Sequence, residues 1–154
     1  QMILEAARGA MPGYLASAGL NIVHVRDVAA GHILAWHRGR VGERYILGHQ
    51  DGNLTLQEIL RRAAEAAGRA GPQMRIPYAA ALGYAQLDER LLSRFRAGAV
   101  RAPIAGVRLA KHRMWFDCNR AVTELGLPQT PLHDAFNDAV QSFVDHGLVQ
   151  RQTI

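Results

Sequence analysis

What this 154-residue sequence lacks narrows its function before any motif is read. It has a single cysteine, Cys118, so no internal disulfide can form; this fits a reducing compartment, and a small buried residue is its simplest role. No apolar run approaches the ~20 residues a membrane span requires, and the most apolar stretch, Ile76 to Ala85, is broken by Pro77 and Gly83. Gln1 to Arg8 carry no basic region followed by a long apolar core, so they do not read as a secretory signal, and a cytoplasmic location is expected. Charge of one sign is concentrated in one stretch only, Arg90 to Arg113. The net charge of +5 comes from arginines such as Arg8, Arg26, Arg61, Arg62, Arg75, Arg108 and Arg151, interleaved with Asp and Glu as on a solvated surface. The denser stretch from Arg90 to Arg113 suits a solvated face or a phosphate or carboxylate contact better than nucleic acid or a membrane.

The sets that carry common chemistries are also missing. None of the 15 glycines supplies G-x-G-x-x-G, or the looser G-x-x-G-x-x-G, between a strand and a helix, so backbone amides have no Gly-rich turn with which to approach a pyrophosphate. Tyr14, Tyr45, Tyr78 and Tyr84 are followed four residues on by Ala18, His49, Leu82 and Asp88, so no Tyr-x-x-x-Lys proton relay is present. His32 and His37 are five apart, about 500° around a helix, and do not share a face as a zinc pair would. There is no G-x-S-x-G elbow, and Ser17, Ser93 and Ser142 lack an acid/base setting. No catalytic, cofactor-binding or metal-binding residue is therefore assigned, and this chain alone is expected to bind no cofactor.

What remains is a patterned α/β sequence, 49% hydrophobic, enough for one core. Met2 to Ala7 reads as a helix without a preceding cap, as if cut through, and Gly9, Pro12 and Gly13 end it. Ile22 to Val25 reads as a β-branched strand, with Asp27 capping a helix whose buried stripe is Val28, Ile33, Leu34 and Trp36. Arg44 to Leu47 reads as a second strand, completing a parallel crossover of about 25 residues. Thr55 and Glu58 form a capping box for the helix carrying Leu56, Ile59, Leu60 and Ala63. A short extended piece at Met74 to Ile76 precedes a long helix from Tyr78 to about Arg96, and Pro103 opens another through Leu109. Asp117 caps a helix ended by Gly126 and Pro128, and Thr130 with Pro131 starts a last one through Val144 to Gly147. So few strands among about five helices cannot make a stable sheet unaided, and a partner is expected.

The order of these motifs resembles one family. Gly19 to His32, GLNIVHVRDVAAGH, is similar to the "VHV-x-DVA-x-x-H" segment of extended short-chain dehydrogenase/reductases, the NAD-dependent epimerase/dehydratase family that includes nucleotide-sugar epimerases and dihydroflavonol-reductase-like enzymes. Gly42 to Gly48 followed by Leu54 to Glu58 resembles the family's last sheet strand and the helix after it. Asp117 to Ala121, then Glu124-Leu125-Gly126 and Pro128, resembles its "D-x-S-K-A-x-x-E-L-G-x-x-P" end. Gly9 to Pro12 and Leu20 to Val25 look most like the hopanoid-associated sugar epimerase group.

The resemblance implies that residues 1–154 are one fragment, the C-terminal substrate-binding part of a Rossmann-type fold. It would be mostly helical, with two or three short strands, one of them the last Rossmann strand near 44–47. The N-terminal nucleotide-binding half, with NAD or NADP and the catalytic residues, would be the missing partner. The parent would then be a sugar epimerase, dehydratase or reductase, a homodimer being one assembly it allows. A non-catalytic binding or assembly module derived from the fold is the alternative. Many nucleotide-sugar enzymes of the family have Arg-Asp just before the VHV strand, and that Arg grips the substrate's phosphates; here those positions are Leu20 and Asn21. A second arginine in Arg-x-Gly-Asp is not reproduced either, although Arg108, Lys111 and Arg113 lie nearby. A sugar or polyol-like substrate without a nucleotide diphosphate is therefore expected.

By the same resemblance Met11, Pro12 and Tyr14 occupy the loop that faces substrate in relatives. His24, pointing away from Val23 and Val25, is a candidate pocket residue beside its simpler role as a hydrogen-bonded structural histidine. Arg113 is a candidate anion contact. Asp27, Trp115 and Phe116 read as architecture.

Overall fold

The computed structural model describes residues 1–89 and 104–151. The described helices are α1 (Met2–Ala7), α2 (Val25–Arg38), α3 (Leu56–Ala66), α4 (Tyr78–Leu87), α5 (Ile104–Leu109) and α6 (Leu132–Asp145), with a π-helical turn at Ala121–Leu125. Five short strands accompany them: β1 (Tyr14–Leu15), β2 (Gly19–Asn21), β3 (Asn53–Thr55), β4 (Arg75–Ile76) and β5 (Arg113–Met114). β1 and β4 form a parallel pair, and β2 lies between antiparallel β3 and parallel β5. The expected extension of α4 to Arg96, and Pro103, lie outside the described residues.

Helix α3 organises the core. Thr55 Oγ1 accepts from the Glu58 amide at 3.3 Å, as the capping pattern requires, while the Glu58 carboxylate turns to Arg62. The i, i+3, i+4, i+7 spacing of Leu56, Ile59, Leu60 and Ala63 then faces α1 and α6, and Ile59, Leu60 and Ala63 are fully buried with Ala6, Leu132 and Phe136. A second cluster joins Ala7, Ala67, Val140 and Val149. A third packs Ala121, Leu125 and Leu127 against Leu34, Ala35, Tyr45 and Leu47.

Several sequence expectations shift once partners are in place. The strand lies at Gly19–Asn21 rather than Ile22–Val25, because β3 and β5 align with those residues: Gly19 opposes Thr55 and Arg113. Ile22 adds one further bond, donating to the Gly52 carbonyl at 2.8 Å, and the chain then turns into α2. The cap of α2 is His24, whose Nδ1 accepts from the Arg26 amide at 3.1 Å; Asp27 sits inside the helix instead. Asp27 is buried and ties to the far end of the chain, accepting from the Thr130 amide and hydroxyl at 2.7 Å each. With its hydroxyl so engaged Thr130 does not cap α6, which starts after Pro131.

Residues 44–47 form no ladder among the described residues, so the expected crossover between that run and residues 22–25 is not made; β2 finds β3 and β5 as neighbours instead. The expected stripe of α2 is also corrected. Leu34 packs inward, whereas Ile33 and Trp36 lie on the opposite, exposed face. At the other end of the chain, Asp117 Oδ1 accepts from the Asn119 amide at 2.8 Å, and Gly126 closes the π-helical turn with φ +75°, as its place in the sequence requires.

Candidate functional site

The Met11–Tyr14 loop is held by a close backbone approach. After Gly9, the chain reaches Gly13, where a Cβ would stand 2.4 Å from the Met74 carbonyl oxygen. That contact lets Tyr14 donate its amide to the same oxygen at 3.0 Å and start the β1–β4 pair. Met11 and Tyr14 are half-buried against the core around Ile59 and Leu60, and Pro12 is exposed.

From there the chain enters β2, where Leu20 and Asn21, the positions at which the resemblance leads one to expect Arg-Asp, carry no charge. Leu20 packs against the core. Asn21 Nδ2 donates to the His49 carbonyl and to Asn53 Oδ1, both at 2.9 Å, and Asn21 Oδ1 accepts from the His49 backbone amide at 3.0 Å. On the neighbouring strand, Arg113 is exposed with its guanidinium 4.6 Å from the Trp115 ring centre, while the indole donates to the Leu54 carbonyl at 3.3 Å. Trp115 and Phe116 are partly exposed rather than core residues. Trp115 and Phe116, with Gln50, Asn53, Asn119 and Cys118, border an open recess of about 480 Å³. Burial pushes the Cys118 thiol up, away from thiolate chemistry.

His24 belongs to a different place, an apolar groove of about 580 Å³ between α1, residues 21–26 and α6, walled by Ile3, Val23, Phe136 and Phe143. With Nδ1 accepting the Arg26 amide, the ring proton sits on Nε2, which donates to Asp138 Oδ2 at 3.2 Å. Both nitrogens are engaged, so His24 borders the groove as a cap and offers it no free donor or acceptor. Met11, Pro12, Tyr14 and Arg113 do not line this groove. Asp138, the residue that completes the histidine's bonding, was not singled out from sequence; it lies 114 positions away, and no local pattern joins the two.

A charged network lies behind the 40–47 segment. Arg120 donates to Glu43 at 2.7 Å and to Glu124 at 3.2 Å, and the Tyr45 hydroxyl donates to Glu124 at 2.9 Å. The Arg120 hydrogen bond holds the Glu43 carboxyl below its usual range, as the Tyr45 hydroxyl does for Glu124, and the Arg120 pKa is raised in turn.

Among the described residues no glycine-rich dinucleotide turn is formed. The glycines with positive φ, Gly9, Gly42, Gly68, Gly126 and Gly147, follow helices or sit in a loop, and none stands between a strand and a helix N-terminus. Among the described residues no group of three or more His, Cys, Asp or Glu side chains is placed to hold a metal, and no helix is long and apolar enough to cross a membrane.

This fold, about half helical with a few short strands among the described residues, matches the C-terminal part of solved epimerase and short-chain dehydrogenase/reductase structures. The crystal structure of gox2253 matches with a TM-score of 0.73 and 38% identity, over 97% of this chain and 44% of that one. The structure of PA4631, a nucleoside-diphosphate-sugar epimerase from Pseudomonas aeruginosa, matches with a TM-score of 0.71 and 28% identity, over 97% and 43%. Among curated proteins, a Synechocystis protein named "Putative dihydroflavonol 4-reductase" is 41% identical over 99% of this chain and 44% of its own length. The sterol demethylase protein B of Methylococcus capsulatus is 33% identical over 96% of this chain, again 44% of its own length. The chain is thus related, along nearly all of its length, to extended short-chain dehydrogenase/reductases, and it spans less than half the length of these relatives. No family model matches it.

Proposed function

We propose that this chain is the substrate-binding portion of an NAD(P)-dependent reductase, epimerase or dehydratase, whose cofactor site and proton relay lie in sequence outside residues 1–154. The observation that carries this is the extent of the match: nearly the whole chain aligns with under half of each relative, while its sequence holds no Gly-rich dinucleotide motif. The Met11–Tyr14 loop, fixed at Gly13, and the β2–β5 edge bearing Arg113 would line the substrate side. His24 would stand behind the site as a helix cap, with no proton to give.

The substrate in this reading carries no nucleotide diphosphate. Leu20 and Asn21 offer no cation to a pyrophosphate, and Asn21 is already engaged by His49 and Asn53. Two relatives support this by name, one after a dihydroflavonol and one after a sterol, whereas PA4631 is named for nucleoside-diphosphate sugars. The test is to express the complete reading frame and titrate it with NADH and NADPH. Saturable binding of one of them is expected, with UDP and UDP-sugars failing to compete for substrate. Binding of neither cofactor overturns the enzymatic reading, leaving a binding or assembly module. Tight UDP binding overturns the substrate class.

A further inference from the structure

A further recess, of about 470 Å³, opens between the turn at residues 49–51, helix α3 and the start of α6. Met11, Tyr14, Arg113, Leu20 and Asn21 do not border it. Its buried member is His49, only 6% exposed. The backbone of that residue is fixed on both sides: its amide donates to Asn21 Oδ1, and its carbonyl accepts from Asn21 Nδ2 and from the Gly52 amide, both at 2.9 Å. The Asp51 amide donates to His49 Nδ1 at 3.1 Å, which puts the ring proton on Nε2. Nε2 finds no acceptor among the described residues, yet it is not sealed from solvent as Arg69 Nε is. Because His49 borders this recess, its N–H opens into it.

The start of α6 brings two more donors to the same place. Pro131 supplies no side-chain cap, and Thr130 has spent its hydroxyl on Asp27. The amides of Asp134 and Ala135 both reach the Pro131 carbonyl, so those of Leu132 and His133 are left without an acceptor among the described residues. The helix dipole adds partial positive charge at that end. Half-buried Arg62 also borders the recess, and it gives one nitrogen to Glu58 while keeping its other N–H groups. Of the carboxylates nearby, Glu58 is taken by Arg62, whereas Asp51 and Asp134 are exposed, where water and salt screen them.

Donors outnumber acceptors here, and they stand on fixed backbone. A cation has nothing to bind, since Nε2 carries its proton and the helix end repels positive charge. We propose that this recess is a phosphate site, taking inorganic phosphate or the phosphate group of a small phosphomonoester through His49 Nε2, the Leu132 and His133 amides and Arg62. It is not the clamp missing at Leu20 and Asn21, and it does not depend on the enzymatic reading.

The test uses the full-length protein labelled with ¹⁵N at histidine and titrated with inorganic phosphate and, separately, with glycerol 3-phosphate. The His49 Nε2 signal is expected to shift saturably with both, tighter binding of glycerol 3-phosphate marking a phosphomonoester as the occupant and equal or weaker binding marking the free ion. His49→Asn keeps an acceptor for the Asp51 amide but removes the Nε2 donor, and it should weaken phosphate binding about tenfold. Asp51→Asn, at an exposed position, leaves the fold intact and should tighten binding about twofold by removing a carboxylate from the mouth. No saturable shift at His49, or one that chloride reproduces at equal ionic strength, overturns the proposal. So does a His49→Asn variant that binds phosphate as tightly as the unaltered protein.

Discussion

Asp27 shows how a residue can be legible in type and illegible in role. Its place one strand's length into the VHV segment suggests a cap, but tertiary packing turns it to Thr130, and that tie spans 103 positions. Asp27→Ala leaves the Thr130 amide and hydroxyl without their acceptor, and the cost in unfolding free energy is expected to be about 2 kcal/mol by denaturant titration. Thr130→Val should cost less, and combining the two should cost less than their sum. His24→Ala removes the helix cap for about 1 kcal/mol, while His24→Asn, which can still accept from the Arg26 amide, should recover most of it. On the proposed function, His24→Asn in the full-length protein should leave the pH dependence of kcat unchanged, because neither ring nitrogen is available to substrate. Gly13→Ala drives a Cβ into the Met74 carbonyl and should destabilise by roughly 1–3 kcal/mol, loosening the Met11–Tyr14 loop with it.

At the scale of elements, the segment from Arg40 to Leu47 is held by charge as much as by packing. Glu43 and Glu124 have pKa values lowered by Arg120 and Tyr45 respectively, so the folded chain binds fewer protons than the unfolded chain as pH falls through the carboxylate range. Their contribution is complete above the ordinary carboxylate pKa and is lost on acidification through the lowered values. A fall in melting temperature below about pH 4.5 is therefore expected. Arg120→Met should flatten that fall, and high salt should mimic the variant, since the groups are solvent-exposed and screened. Helices α3 and α6 were the most legible elements, because Leu56-Ile59-Leu60-Ala63 and Leu132-Phe136-Val140 each repeat with the helical period and bury the faces that period defines. Helix α2 was legible as a helix but not in its orientation: apolar residues lie on both faces, and only the neighbours at Leu47 and Leu127 select the inner one.

For the whole molecule, an exposed stripe with Val25, Ile33 and Trp36 uncovered is unusual for a self-sufficient domain. Residues 1–154 expressed alone are expected to bind a hydrophobic dye strongly and to unfold well below the full-length protein; equal melting temperatures and weak dye binding would show that nothing covers this face. The candidate site was legible only in parts. Met11, Tyr14 and Gly13 fall in one loop and can be read together, but the separation of His24 from them depends on α6 crossing over residues 21–26. The strand at Gly19–Asn21 was misplaced by three residues because β-branching marks Ile22 to Val25, while ladder register is set by Asn53–Thr55 and Arg113–Met114, distant in sequence.

The sequence by itself determined what this chain does not hold, namely a dinucleotide turn and a Tyr-x-x-x-Lys relay, because those depend on residue type at fixed short spacing. It also determined the helical periods, the Thr55 cap and the glycine stop at Gly126, which are local in the same sense. Only the tertiary structure decided that His24 rather than Asp27 caps α2, that Asp27 joins Thr130, and that Ile33 and Trp36 face outward. Each of these is a competition between groups far apart in the chain, and its outcome depends on which partners packing brings within hydrogen-bonding or van der Waals reach.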